Sequence, residues 1–168
     1  MRRTGGFAYI VLAVALALGP AAGSARAATR AASDVTTDVI RLANATRAQD
    51  GLPALHRSRA LDRSALMKVD EIRSCGSFSH TPCGTSFART FQQTGYLHGR
   101  VRVGENIYWG SGRLGTPAGA ISAWLHSPPH RANLLGRGWR DMGVGVERVP
   151  SIFGASDVSI VVLQFGRR

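Results

Sequence analysis

An α+β domain is the fold class this sequence predicts, and three observations predict it. Helical apolar stripes fill the first half, glycine- and proline-rich stretches punctuate the middle, and two alternating β-branched runs come last. Residues 36–49 predict a first helix. Val39, Leu42, Ala43 and Thr46 fall at i, i+3, i+4 and i+7, apolar except at the last position, and Gly51 and Pro53 end the pattern. Residues 58–73 predict a second helix, with Ser58 as N-cap and Leu61, Ala65, Leu66, Val69 and Ile72 on one face. A short helix over 86–93 is stopped by Gly95.

Residues 97–117 carry five glycines and read as an irregular loop holding Gly104-Glu105-Asn106-Ile107. Pro117 opens a helix over 118–126 anchored by Ile121 and Trp124, and the Ser127-Pro128-Pro129 turn stops it. A short turn or helix follows from His130 to Leu135. Residues 142–149 and 158–165 predict two strands, joined as a hairpin by the turn-rich stretch 150–157.

Ahead of this domain, residues 1–27 read as a cleavable secretory signal peptide. Arg2 and Arg3 supply positive charge, residues 7–18 are apolar if the interfacial Tyr9 is counted, and Ala25-Arg26-Ala27 gives the small-x-small cleavage pattern. The competing reading is an uncleaved anchor, but the run falls short of the roughly 20 residues that cross a bilayer. No second apolar run of that kind occurs, so no transmembrane segment is expected after cleavage. Residues 28–35, small and polar, read as a flexible tail before a domain over 36–168, and the expected location is secreted.

Loss of Arg2, Arg3 and Arg26 with the leader takes the formal charge from +11 to +8. Lys68 is the only lysine. The arginines are spread from Arg30 to Arg168 without a dense run, and no nucleic-acid motif accompanies them, which excludes nucleic acid as the expected partner. A lipid or anionic envelope component remains compatible with such a surface. Cys75 and Cys83 form an even pair that an oxidising compartment would join in a disulfide. Its loop is short, so it adds about 2–3 kcal/mol and mainly fixes the segment containing His80.

Singly, each histidine and Glu105 reads as an ordinary structural residue. His126 and His130 are separated by two prolines, so their spacing is not that of a helical ligand pair. His56 and His98 read as surface residues. Together, His80, Glu105 and His130 are enough to hold a zinc with one open position, or to form an acid–base cluster. Asn106 joins them as a binding-groove candidate, and hydrogen bonding that simply locks the fold is the competing role. There is no Gly-x-Ser-x-Gly elbow, no His-Glu-x-x-His and no thiol left free by the disulfide. Nothing assigns a base and an orienting partner to Ser79 or Ser127.

The ordered set Phe78-Ser79-His80-Thr81, Gly104-Glu105-Asn106-Ile107, Trp124-x-x-Ser127-Pro128-x-His130-Arg131-x-Asn133-Leu134 and Met142-Gly143-Val144-Gly145-Val146 resembles the CAP superfamily. This is the group of cysteine-rich secretory, antigen 5 and pathogenesis-related 1 proteins (the SCP domain), here most like its bacterial single-domain branch. Asn44-x-x-Arg47 and Gly51-Leu52-x-x-Leu55 fit as well. The resemblance implies a three-layer α-β-α sandwich with a small central antiparallel sheet. It also implies an extracellular binding module, non-catalytic or weakly catalytic, whose groove takes a metal, lipid or envelope ligand; the alternative is a secreted metal-assisted peptidase or esterase. Larger relatives place two His and two Glu around a divalent metal, zinc or calcium. Only His80 and Glu105 match that tetrad here, because Leu125 to Ser127 and Met142 to Val144 lack the second Glu and His. His130, carried by Ser-Pro-x-His, is the candidate replacement ligand.

Overall fold

The computed structural model describes residues 21–168, with side chains from residue 34 onward; the apolar run of the expected leader lies outside the described residues. The elements are α1 (Ala21–Gln49), β1 (His56–Arg57), α2 (Arg59–Cys75), α3 (Arg89–Gln93), β2 (Arg102–Ser111), α4 (Pro117–His126), α5 (Pro128–Leu134), β3 (Asp141–Ile152) and β4 (Ala155–Arg167). The strands form one sheet in the order β1-β3-β4-β2. Both long pairings are antiparallel, and only the two-residue β1 runs parallel to β3.

Alternation along β3 and β4 sorts side chains between two helical layers. Met142, Val144, Val146, Val161, Leu163 and Phe165 point toward α1, α4 and α5, where Val39, Ala43, Ile121, Trp124 and Leu134 meet them. Val158, Ile160 and Val162 point the other way, onto Ala65, Val69 and Ile72 of α2. The result is a three-layer sandwich, mixed α+β, as the sequence implies. Each fully buried aliphatic side chain contributes about 1.5–3 kcal/mol to this association. Gly143 and Gly145 face α2 so closely that a Cβ on either would strike the α2 backbone at Leu61 or Ala65. That contact brings α2 down onto the sheet.

The local signals of the second helix hold. Ser58 Oγ accepts from Leu61 N, and Gly76 closes the helix in the left-handed conformation at φ 57°. Asn44 exchanges hydrogen bonds with Leu55 N and O, and buried Arg47 donates to the carbonyls of Pro53, Leu134 and Gly136. These bonds tie α1 to the loops on either side of it.

Several expectations need correcting. Residues 97–117 are not an irregular loop: their centre is β2, paired with β4 from Arg102↔Arg167 to Ser111↔Val158. Glycines at 104 and 110 and polar Glu105 and Asn106 at buried positions hide its alternation. Residues 150–157 are not the turn, because β3 and β4 run on until Phe153 and Gly154 alone connect them. Both lie at positive φ (56° and 75°), the geometry of a tight hairpin whose twist matches the strands. The two prolines after Ser127 begin α5 rather than only ending α4, since the first helical turn needs no N–H donors. Helix α1 spans Ala21–Gln49, a range that includes residues 28–35.

Candidate functional site

β2 is an edge strand, and helices from one layer cover its open side. Glu105 O and Ile107 O, two residues apart, accept from Asn133 Nδ2 (3.2 Å) and Trp124 Nε1 (3.0 Å). An unpaired strand edge would otherwise offer free donors and acceptors to another chain. Because neighbouring strand residues point to opposite faces, Glu105 enters the α2 side and Asn106 the α5 side.

On the α2 side the Glu105 carboxylate is fully buried. Its Oε1 accepts from His80 Nδ1 at 2.8 Å, and its Oε2 accepts from Gln164 Nε2 at 2.8 Å. Gln164 is the direct cross-strand partner of Glu105. Two such charge-assisted bonds offset the cost of taking a carboxylate out of water. Behind them, Ser64 Oγ donates to Thr90 Oγ1 at 3.0 Å, extending the polar network between α2 and α3.

His80 itself is held from three directions. The Cys75–Cys83 disulfide closes its loop, with a Cα–Cα distance of 5.6 Å. Lys68, fully buried in α2, donates to His80 O (3.1 Å) and pairs with Glu71 (2.9 Å). The ring is anchored by Glu105 yet 43% exposed, and it lies edge-on to Phe87 at 6.3 Å.

On the α5 side Asn106 Nδ2 donates to His130 O at 2.9 Å, while Asn106 Oδ1 accepts from Asn133 Nδ2. His130 Nδ1 lies 2.8 Å from Ser127 Oγ. Burial, reinforced by the neighbouring His80, lowers the pKa of His130 from the usual histidine value. The ring centroids of His80 and His130 are 6.3 Å apart, tilted by 37°. The Cys75–Cys83 loop and helix α5, from opposite layers, thus meet at the covered edge of β2. Both Nδ1 atoms are engaged within the protein, and both Nε2 atoms face no described partner.

The structure therefore brings together His80, Glu105, Asn106 and His130, but not as a three-ligand metal centre. Among the described residues no three His, Cys, Asp or Glu side chains gather as a metal-binding set. The donor chemistry gives the reason. Both oxygens of Glu105 are taken by hydrogen-bond donors, one of them the Gln164 amide, and His130 approaches His80 rather than the carboxylate. With Glu105 committed to His80 and Gln164, the three side chains are not arranged as the zinc or calcium ligand set the sequence suggested.

His126 turns back to Ser122 O (2.7 Å) and stays outside the cluster. His56 and His98 are exposed, as expected of surface residues. Trp124 is core, and Trp139 stacks on Phe165 at 5.7 Å in the space left by Gly104 and Gly136. Sequence reasoning missed Gln164 and Lys68 as members of the site. Gln164 had a signal, a single amide in the otherwise apolar run from Ile160 to Phe165.

The sandwich matches a known class. The cysteine-rich secretory protein (CAP) family model matches residues 40–165, and the chain belongs to that family. Within it, the chain is 31% identical over 116 residues to the protein YkwD of Bacillus subtilis (strain 168), covering 68% of this chain and 43% of that protein. The chain thus spans less than half the length of this relative. An extracellular SCP-domain protein of Bacillus anthracis str. Ames shares the fold with a TM-score of 0.69 at 20% identity, covering 90% of this chain and 44% of the other. An outer surface protein of Borrelia burgdorferi does so with a TM-score of 0.64 at 19% identity, covering 80% and 93%. No helix among the described residues is long and apolar enough to cross a membrane.

Proposed function

We propose that this protein is an exported CAP domain that acts outside the cell as a binding module, non-catalytic or weakly catalytic. Its ligand is a polar envelope component held at the β2 edge by His80 and His130. One observation carries this reading. Each imidazole is fixed through Nδ1, by Glu105 or by Ser127, which leaves two Nε2 atoms pre-positioned on neighbouring rings. Groups already locked lose little entropy when a ligand binds. The leader-like residues 1–27 and the extracellular relatives support export.

The test is an NMR titration of the protein with soluble glycan–peptide fragments of a bacterial envelope. Expected are shifts confined to His80, Ser127 and His130, and at least tenfold weaker binding in His130→Ala. Shifts elsewhere, or equal binding by that variant, would overturn the assignment.

One contact favours a second reading, a hydrolase: Ser127 Oγ lies within hydrogen-bond reach of His130 Nδ1, as a nucleophile and base must. No carboxylate orients His130, since Glu105 is committed to His80 and Gln164. Turnover of an ester or peptide panel that disappears in Ser127→Ala would establish that reading.

A further inference from the structure

The arginines that look scattered along the sequence do not stay scattered in the fold. Arg100 precedes β2 and Arg102 opens it, Arg137 and Arg140 precede β3, and Arg167 ends β4 with Arg168 beside it. All six are exposed, and none of them makes an ion pair among the described residues. Arg102 and Arg167 are direct cross-strand partners, an arrangement in which like charges destabilise a sheet. Of the acids on the adjoining strand and helix, Asp62 is paired with Arg57, and Asp141, which accepts from the neutral Tyr96 hydroxyl at 2.6 Å, offsets only part of six positive charges.

These side chains wall two adjoining depressions. One, about 360 Å³, is lined by Arg100, Arg102, Arg167 and Arg168. The other, about 210 Å³, includes His56, Arg137, Trp139, Arg140 and again Arg167. Two guanidinium groups rest against aromatic rings. Arg102 lies over the Trp139 ring at 5.4 Å, and Arg168 over Tyr96 at 4.2 Å. A guanidinium resting on a ring still has N–H groups for anions, although one of Arg168 also donates to Gly95 O at 3.4 Å.

We propose that this surface binds a linear polyanion carrying phosphate groups. Two depressions sharing Arg167 suit repeated anionic units better than one isolated ion. Guanidinium groups that approach from different rings and different strands suit a tetrahedral phosphate, which can accept from several directions, better than one planar carboxylate. A membrane surface fits less well, because cationic faces that dock on lipid also carry apolar side chains that enter the interface. The exposed large apolar residues among those described are Leu66, Phe78 and Leu114, and none lines either depression. The inference is independent of the imidazole site.

The experiment is a titration with long-chain inorganic polyphosphate, followed by calorimetry across a salt series. Compared with wild type are Arg100→Glu/Arg167→Glu and the charge-matched control Arg63→Glu/Arg113→Glu. Binding at about 0.15 M salt is expected for wild type. The patch variant should weaken it at least tenfold and flatten the salt slope by about 0.7 for each phosphate it no longer neutralises. The control should change it less than twofold. If thermal scans show the patch variant unfolded, Arg100→Gln/Arg167→Gln takes its place. No binding by wild type, or equal weakening in patch and control variants, would overturn the proposal. Equally tight binding of polyglutamate would refute the preference for phosphate, and tighter binding to phosphatidylglycerol vesicles the preference for a polymer.

Discussion

Glu105 and Arg102 stand three residues apart on the same strand, and the fold treats their charges in opposite ways. The carboxylate is buried with a donor on each oxygen, while the guanidinium stands exposed among five others with no acid to pair. Precision in this domain sits with the buried pair, and reach with the exposed cluster. Paired and buried charges fix geometry at short range, since each partner removed leaves a desolvated group behind. Unpaired surface charges fix little locally but add their fields at longer range, weakened by salt.

The largest effect that would sharpen this contrast is at Lys68. Lys68→Ala removes the buried ammonium from Glu71, which keeps Arg89 at 3.6 Å, and strands His80 O without its donor; with the buried stem of Lys68 also lost, it should cost about 3 kcal/mol in urea unfolding. A cost below about 1 kcal/mol would break the contrast at its strongest point. Next comes Glu105→Ala, which strands His80 Nδ1 and Gln164 Nε2 and should cost about 2 kcal/mol; Glu105→Gln should recover part of that. By contrast, Arg100→Glu/Arg167→Glu should change stability by no more than about 0.5 kcal/mol in the same assay, as surface changes do.

The smallest effect is a pH dependence. The folded His130 pKa lies below its unfolded value of 6.5, because burial and then His80 disfavour the imidazolium. The unfolded chain therefore takes up a proton that the folded ring resists. The stability tied to this group is present above that value and declines as pH falls below it. An NMR titration should place the His130 midpoint below that of a free histidine, and a midpoint above it would show a ring stabilised in its charged form.

Much of the fold is legible in the sequence because helices and the two long strands carry regular apolar patterns. Residues 58–73 show cap, stripe and terminator together, and the structure keeps all three. β2 is illegible for a physical reason. Its buried positions hold Gly104, Glu105 and Asn106, residues that serve close packing against Trp139 and hydrogen bonding across layers, so apolar alternation is absent there. The site is half legible in the same way. Chemistry-bearing His80 and Glu105 stand out as residue types, but the role of Gln164 depends on strand register, Glu105↔Gln164, which no local pattern encodes. The arginine surface is hidden in the sequence because its members come from three separate segments that only the sheet brings side by side.

The site claim that matters most is that both imidazoles are held through Nδ1 at the β2 edge and that no metal is needed to hold them. Long-range ¹⁵N NMR of the histidine rings, recorded before and after adding zinc, tests it directly. The Nδ1–H tautomer is expected for His80, because the Glu105 carboxylate accepts there. No joint shift of His80 and His130 is expected at stoichiometric zinc. An Nε2–H tautomer at His80, or coupled zinc-induced shifts of both rings with rupture of the Glu105 hydrogen bond, would contradict it.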